Sequence, residues 1–232
     1  MNLLRPAVQD GLRAVAESTR LTSVQRCTSL YAQGQPADAV FLIEEGLIKL
    51  TRTNESGGKI ILAICGPGQL FGEEALGEDP DAHYTDAVTI TVATVQRIPR
   101  IPLLQSLSVH NELGNALVGY LLSRKLELAE KVELLCLHDV EYRILHYLAL
   151  LSSLTTPGAD GDGYQIPITQ LELADLIGAT RETTSTTLNQ LERRGLIKLS
   201  RRLLTIPSPE SLRGAAAARH AVPSEIASVG KM

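Results

Sequence analysis

Residues 169–195 read TQLELADLIGATRETTSTTLNQLERRG, and this stretch decides the architecture. Leu173, Leu176 and Ile177 recur at helical spacing, and Leu188 and Leu191 do the same after Gly178. Thr169 followed by Glu172 has the spacing of a capping box, and Gly178 suits a left-handed C-cap. Thr180 can cap a second helix, which Gly195 closes. The predicted unit is helix, tight turn, helix, with one face of each helix buried. Arg181, Glu182, Ser185, Thr186 and Asn189 fall largely on the other face of the second helix. Threonine and serine are mediocre helix formers, so a run of them here points to a face built to meet something besides the chain's own core. Short hydroxyl side chains let a helix approach a DNA groove closely and can donate to phosphate or accept from a base edge. Arg181 can reach guanine or phosphate, and Glu182 can accept from a cytosine amino group.

The residues downstream of Gly195 agree with a DNA-reading unit. LIKLSRRLLTI (196–206) reads as two short strands around Ser200-Arg201-Arg202, a wing beside the helix pair. From Arg193 to Arg202 there are five Arg or Lys and no acid. Arg193, Arg194, Lys198, Arg201, Arg202 and Thr169 would favour phosphate contact. The tail, 209–232, contains AAAAR without an apolar period and is expected to be frayed or disordered.

Upstream, DVEYRILHYLALL (139–151) is an apolar-striped helix with Asp139 as its N-cap, before a Gly-, Pro- and Asp-rich loop in TTPGADGDG (155–163). From Leu103 to Leu137 the period is also helical, with Leu107, Gly114, Leu121, Leu128 and Leu135 spaced by seven. Val118 and Val132 lie on an adjoining strip that Lys125 interrupts. This helix either lies on its own β-core or packs against a twin. The length of the stripe favours the twin, with Leu107, Leu117, Leu121, Leu128, Val132 and Leu135 as candidate interface residues.

Residues 27–98 are β-type. VFLIEEGLIKLTRT splits at Glu44-Glu45-Gly46, NESGG turns, KIILAIC extends, GPGQLFGEEAL breaks, and DAVTITVATVQRIP closes at Pro99. Short Gly-punctuated strands at this spacing predict a small sandwich or roll. Residues 1–24 read as a weakly amphipathic helix. The predicted class is α+β: an N-terminal antiparallel, jelly-roll-like β-roll (1–102), a long dimerisation helix (103–137) and a C-terminal winged helix-turn-helix (138–208).

The net charge of −4 excludes a non-specific nucleic-acid coater, and the acids gather in the first half of the chain. No stretch reaches the roughly 18 apolar residues of a membrane span. The N-terminus lacks an apolar signal core, and three separated cysteines make no disulfide framework. These features predict a cytoplasmic protein. There is no GxSxG, P-loop or HExxH, and the histidines lack metal-ligand spacing. The expectation is no enzyme, no metal and no cofactor.

Over roughly residues 20–207 the chain resembles the Crp/Fnr family of bacterial transcription regulators. The carrying residues are Gly34-Gln35-Pro36-Ala37-Asp38 with VFLIEEGLIKL, Pro67-Gly68-Gln69-Leu70-Phe71-Gly72-Glu73, the long central helix and ELADLIGATRETTSTTLNQLERRGLI. The last is the most specific, because Arg181-Glu182-Thr183 matches the family's usual start to its recognition helix. The resemblance implies a cyclic-nucleotide-binding-type roll, a dimerising helix and a DNA reader. The implied partners are double-stranded DNA, a second copy of the chain and RNA polymerase, the last if the outcome is activation. Family members commonly place another arginine where this chain has Thr186, which leaves the half-site preference open even where Arg181 and Glu182 keep their roles.

The effector pocket departs further. Cyclic-AMP binders of this family pair a Gly-Glu motif that holds the ribose with a downstream Arg-Ser or Arg-Thr that holds the phosphate. Gly72-Glu73 is present, but Tyr84-Thr85 stands where Arg-Ser would be, and no Arg or Lys occurs between Lys59 and Arg97. A phosphate without a cation loses its charge-assisted hydrogen bonds. The expectation is a regulator that does not depend on cyclic AMP and needs no small ligand. The family's iron–sulfur branch needs four cysteines, and haem needs an axial ligand that the scattered histidines do not point to. The alternative is a ligand-sensing roll, through a different effector or through cysteine redox, with output through a protein partner. No segment other than the winged helix remains as an output domain.

Overall fold

The computed structural model describes residues 11–13, 15, 21–77, 82–158 and 163–220. The chain divides into two compact units, Met1–Glu133 and Leu134–Met232. The long helix therefore does not stand as a domain of its own between the β-roll and the winged helix. Most of the expected helix over 1–24 lies outside the described residues, and its last four residues, 21–24, are a strand instead, paired into a sheet.

Among its described residues the first unit holds eight strands: β1 (Leu21–Val24), β2 (Ser29–Tyr31), β3 (Ala39–Glu45), β4 (Ile48–Thr53), β5 (Lys59–Cys65), β6 (Leu70–Phe71), β7 (Asp86–Thr89) and β8 (Ala93–Pro99). They form two four-stranded antiparallel sheets, ordered β1-β8-β3-β6 and β2-β7-β4-β5. β3 shows why VFLIEE reads as a continuous apolar run rather than an alternating one. Ala39, Phe41 and Ile43 join the core with Ile48, Leu50 and Phe71, while Val40 and Leu42 join a second core with Leu103, Leu113 and Leu117. Successive side chains point to opposite faces of a strand, and here both faces are covered. Gly46, at φ +88°, makes the β3–β4 turn; a Cβ there would meet the Val92 carbonyl oxygen at 2.4 Å, so no other residue fits.

The helical segment after β8 is broken rather than continuous. α1 (Arg100–Val109) and α2 (Asn111–Leu137) meet at His110, whose φ −112°, ψ 89° is not helical. α2 is fastened to the roll by three polar side chains. The Tyr120 hydroxyl donates to the Leu70 carbonyl and accepts from the Leu70 amide, each at 2.9 Å. Arg124 lies beside Glu73 and Glu127, and the Lys131 ammonium donates to the Ile61 carbonyl at 2.9 Å. The same face carries Leu117, buried among Leu70 and Leu103, with Leu107 and Leu121 packed against that core. This corrects the expected seam: Leu107, Leu117 and Leu121 belong to the chain's own core. Leu128 and Val132 remain open to solvent at 49 % and 60 % exposure, whereas Leu135 is only half-buried and reaches toward Gly178. The exposed apolar strip is the adjoining one, carrying Val118, Leu122, Ala129, Val132 and Cys136 with Lys125 among them.

The second unit contains α3 (Val140–Ser152), β9 (Tyr164–Ile166), α4 (Gln170–Ile177), α5 (Arg181–Arg193), β10 (Lys198–Ser200), β11 (Leu203–Ile206) and α6 (Pro209–His220), with the strands in one antiparallel sheet ordered β10-β11-β9. α6 overturns the expected disorder over 209–220. Pro209 suits a first helical position and the alanines are strong helix formers. Leu212 is fully buried, and Arg219 pairs with Asp139 at 2.7 Å and Glu141 at 3.0 Å on α3 and its cap. Residues 221–232 of the expected tail lie outside the described residues.

Candidate nucleic-acid interface and β-roll pocket

The helix pair forms as its caps dictate. Asp139 accepts from the Tyr142 amide at the start of α3. Thr169 and Glu172 complete a reciprocal capping box at α4, and Thr180 accepts from the Thr183 amide at α5. Gly178 holds φ +64° between α4 and α5, where an added Cβ would lie 2.8 Å from the Leu135 side chain. Arg143 also donates to the Ile177 carbonyl at 2.7 Å, satisfying the end of α4.

α5 buries Thr184, Leu188 and Leu191 and exposes the other face. Its threonines divide into two groups. Thr184 and Thr187 donate to the carbonyls of Thr180 and Thr183 at 2.8 and 2.9 Å, and the hydroxyls of Thr180 and Thr183 meet at 3.0 Å. These hydroxyls are used within the helix, which is how its interior tolerates them. Arg181, Glu182, Ser185, Thr186 and Asn189 make no side-chain hydrogen bond among the described residues, and of them only Ser185 is partly buried. Thr169 differs from that set, because its hydroxyl is already held by Glu172. Thr180 is likewise committed as a cap.

Arg193, Arg201 and Arg202 are exposed and bonded to nothing among the described residues, while Arg194 is pulled away by Glu141 at 2.6 Å. Glu141, 13 % exposed, thus joins the end of the recognition helix to α3 and α6, a role that sequence spacing did not reveal. Against the cost of partial burial, the Tyr142 amide and the Arg219 guanidinium hold the neighbouring Asp139 carboxyl below its ordinary range. The wing is tied to α5 by Glu192, which accepts from the Leu199 amide at 2.7 Å. Arg202, at its tip, has φ +61°. For a residue with a side chain this left-handed conformation costs about 1–2 kcal/mol.

In the roll, Gly72 (φ +78°) leads into a 3-10 turn, Glu73–Leu76. Burial holds the Glu73 carboxyl above its ordinary range, even beside Arg124, whose Nε is 3.7 Å away. Tyr84 points outward, 55 % exposed, with the Arg52 guanidinium 4.1 Å over its ring and donating to its carbonyl at 2.6 Å. Arginines therefore do reach this region, from β4 and α2, although none lies in the intervening sequence. Both are engaged by the protein itself. Thr85 is buried next to the Tyr31 phenol, which stacks on the His83 ring at 3.5 Å. The buried Thr51 hydroxyl has no hydrogen-bond partner among the described residues, while Glu74 Oε2 and His83 Nδ1 face each other at 3.6 Å. Burial lowers the His83 pKa in spite of Glu74.

The cysteines do not form a pair. Cys27 and Cys136 are exposed and Cys65 is buried, all three free. Burial pushes the Cys65 thiol up to about 11, which suppresses its thiolate.

A β-roll joined by a long helix to a winged helix-turn-helix with an unpaired polar face is the layout of a DNA-binding regulator with a sensory-type domain. Comparison with known proteins agrees. Residues 21–110 match the cyclic nucleotide-binding domain and residues 142–215 match the Crp-like helix-turn-helix domain. The transcriptional regulator LdrP of Thermus thermophilus is 31 % identical over 174 residues, 74 % of this chain and 84 % of that protein. The global nitrogen regulator of Synechococcus elongatus is 28 % identical over 196 residues, 83 % of this chain and 88 % of that protein. Among solved structures, a transcriptional regulator of the CRP family from Thermus thermophilus superposes with a TM-score of 0.72 at 25 % identity, covering 84 % of this chain and 96 % of that one. The chain belongs to the Crp/Fnr family of transcription regulators, reads DNA through its helix-turn-helix and is not an enzyme.

Proposed function

We propose that the protein is a cytoplasmic homodimer that binds a near-palindromic DNA site, each α5 entering a major groove and the half-sites lying about one helical turn apart. The observation that carries this is the open polar face of α5: Arg181, Glu182, Ser185, Thr186 and Asn189 are left unpaired while the opposite face is buried. Arg181 and Glu182 read bases, Ser185, Thr186 and Asn189 tune the preference, Arg193 and Arg201 contact phosphate, and Arg202 meets the DNA from the wing tip. Thr169 and Thr180 contribute as caps that present helix N-termini to the backbone. The exposed strip of α2 supplies the dimer seam, and activation proceeds through contact with RNA polymerase.

We further propose that DNA binding does not depend on cyclic AMP. By the resemblance Tyr84 stands where the family's phosphate-holding arginine would be, and Arg52 and Arg124 are engaged by Tyr84 and by Glu73 and Glu127. The buried, unpartnered hydroxyl of Thr51 favours a second reading, a small polar effector without a phosphate. Selection of bound sequences from a random DNA pool, with purified protein and no added ligand, tests both. A palindromic motif supports the effector-free dimeric reader. Recovery of a motif only after cyclic AMP is added overturns it.

A further inference from the structure

The wing tip carries an arginine in a conformation that glycine would adopt without strain, Arg202 at φ +61°. Its side chain is exposed and bonded to nothing among the described residues. Arg201, beside it, is also exposed and lies outside the left-handed region, so a phosphate contact alone does not require Arg202. The second observation is a groove of about 440 Å³. Thr169, Gln170 and Arg181, at the starts of α4 and α5, lie along it with Ser200, Arg201 and Arg202 of the wing. The Glu192–Leu199 hydrogen bond fixes the wing beside α5.

Each strand of a duplex runs as a ridge between the major groove and the minor groove. With α5 in the major groove, the adjacent sugar-phosphate ridge occupies the groove between the helix starts and the wing. A side chain on the far side of that ridge faces the minor groove. Resting on the proposed DNA-reading role, we infer that Arg202 enters the minor groove flanking each half-site and reads its width. A·T-rich steps narrow that groove and concentrate negative potential in it, which attracts an inserted arginine, whereas guanine places an amino group on its floor.

The test uses the full-length protein and its selected palindromic site, with flanking pairs made A·T, G·C or inosine·C. Inosine·C has the minor-groove face of A·T and the major-groove face of G·C. The wild type is expected to bind A·T and inosine·C flanks about fivefold more tightly than G·C flanks. Arg202→Gly is expected to bind all three alike, with an unfolding midpoint no lower than wild type because the strain is gone. Arg201→Ala is expected to weaken all three equally and keep the ratio. A wild type indifferent to the flanks, or an Arg202→Gly protein that keeps the ratio, overturns the inference and reduces Arg202 to a phosphate contact. Absence of any sequence-selective binding by the wild type removes the DNA-reading role itself, and this inference with it.

Discussion

Truncating Leu122 to alanine measures the dimer seam directly. Leu122 is 57 % exposed in the single chain and sits on the strip with Val118 and Val132. Leucine exceeds alanine by about three methylene-sized groups, at about 0.8 kcal/mol each when fully buried. Covering the exposed 57 % is thus worth about 1.4 kcal/mol per copy. A two-fold interface uses the residue twice, giving about 2.7 kcal/mol and about a hundredfold rise in the dimer dissociation constant. Sedimentation equilibrium over a concentration series reads that constant. Leu117→Ala is the control: at 5 % exposure it belongs to the roll–helix core. It should cost about 2–5 kcal/mol of folding stability and leave the dimer constant nearly unchanged. A Leu122→Ala constant within about threefold of wild type (about 0.7 kcal/mol) would refute the assignment of this strip to the seam.

In the DNA interface, Glu182→Ala should change base preference within the half-site, and Arg201→Ala should weaken all sequences and flatten the salt dependence; equal losses on cognate and scrambled DNA for Glu182→Ala would remove it from the base readers. Glu141→Gln should lower the unfolding midpoint by a few degrees, because Arg194 and Arg219 lose a shared partner. Both arginines are close to half exposed, so solvent screening holds the loss to about 1 kcal/mol. Burial lowers the Lys131 ammonium from 10.5 to about 8. Between those values the unfolded chain binds a proton the folded chain has released, so this residue's contribution to stability rises with pH. Burial of the Tyr31, Tyr120 and Cys65 side chains acts in the opposite direction at high pH. The measurable quantity is therefore the difference from Lys131→Met in urea midpoints across pH 8–10.5; a pH-independent difference would show that Lys131 keeps its proton.

The sequence by itself determined the reader. Caps, the turn glycine and the apolar positions of α4 and α5 are local signals, set within a turn or two of backbone, and Thr169–Glu172, Gly178 and Thr180 act in the structure as their spacing predicts. The two-sheet roll was legible for the same reason, since strand runs and Gly breaks are short-range patterns. Tertiary structure alone decided which face of the long helix is free. Strips offset by a few residues are both apolar, and only packing against Leu70 and Leu103 shows that Leu117 and Leu121 face inward while Val118 and Leu122 face out. It likewise decided that α6 is ordered, through Arg219 meeting Asp139 at the cap of α3, 80 residues away in sequence. The charge around Tyr84 and Glu73 belongs to the same class. Arg52 and Arg124 come from distant elements, and a window along the chain cannot see a guanidinium that folding brings in from a neighbouring strand or helix.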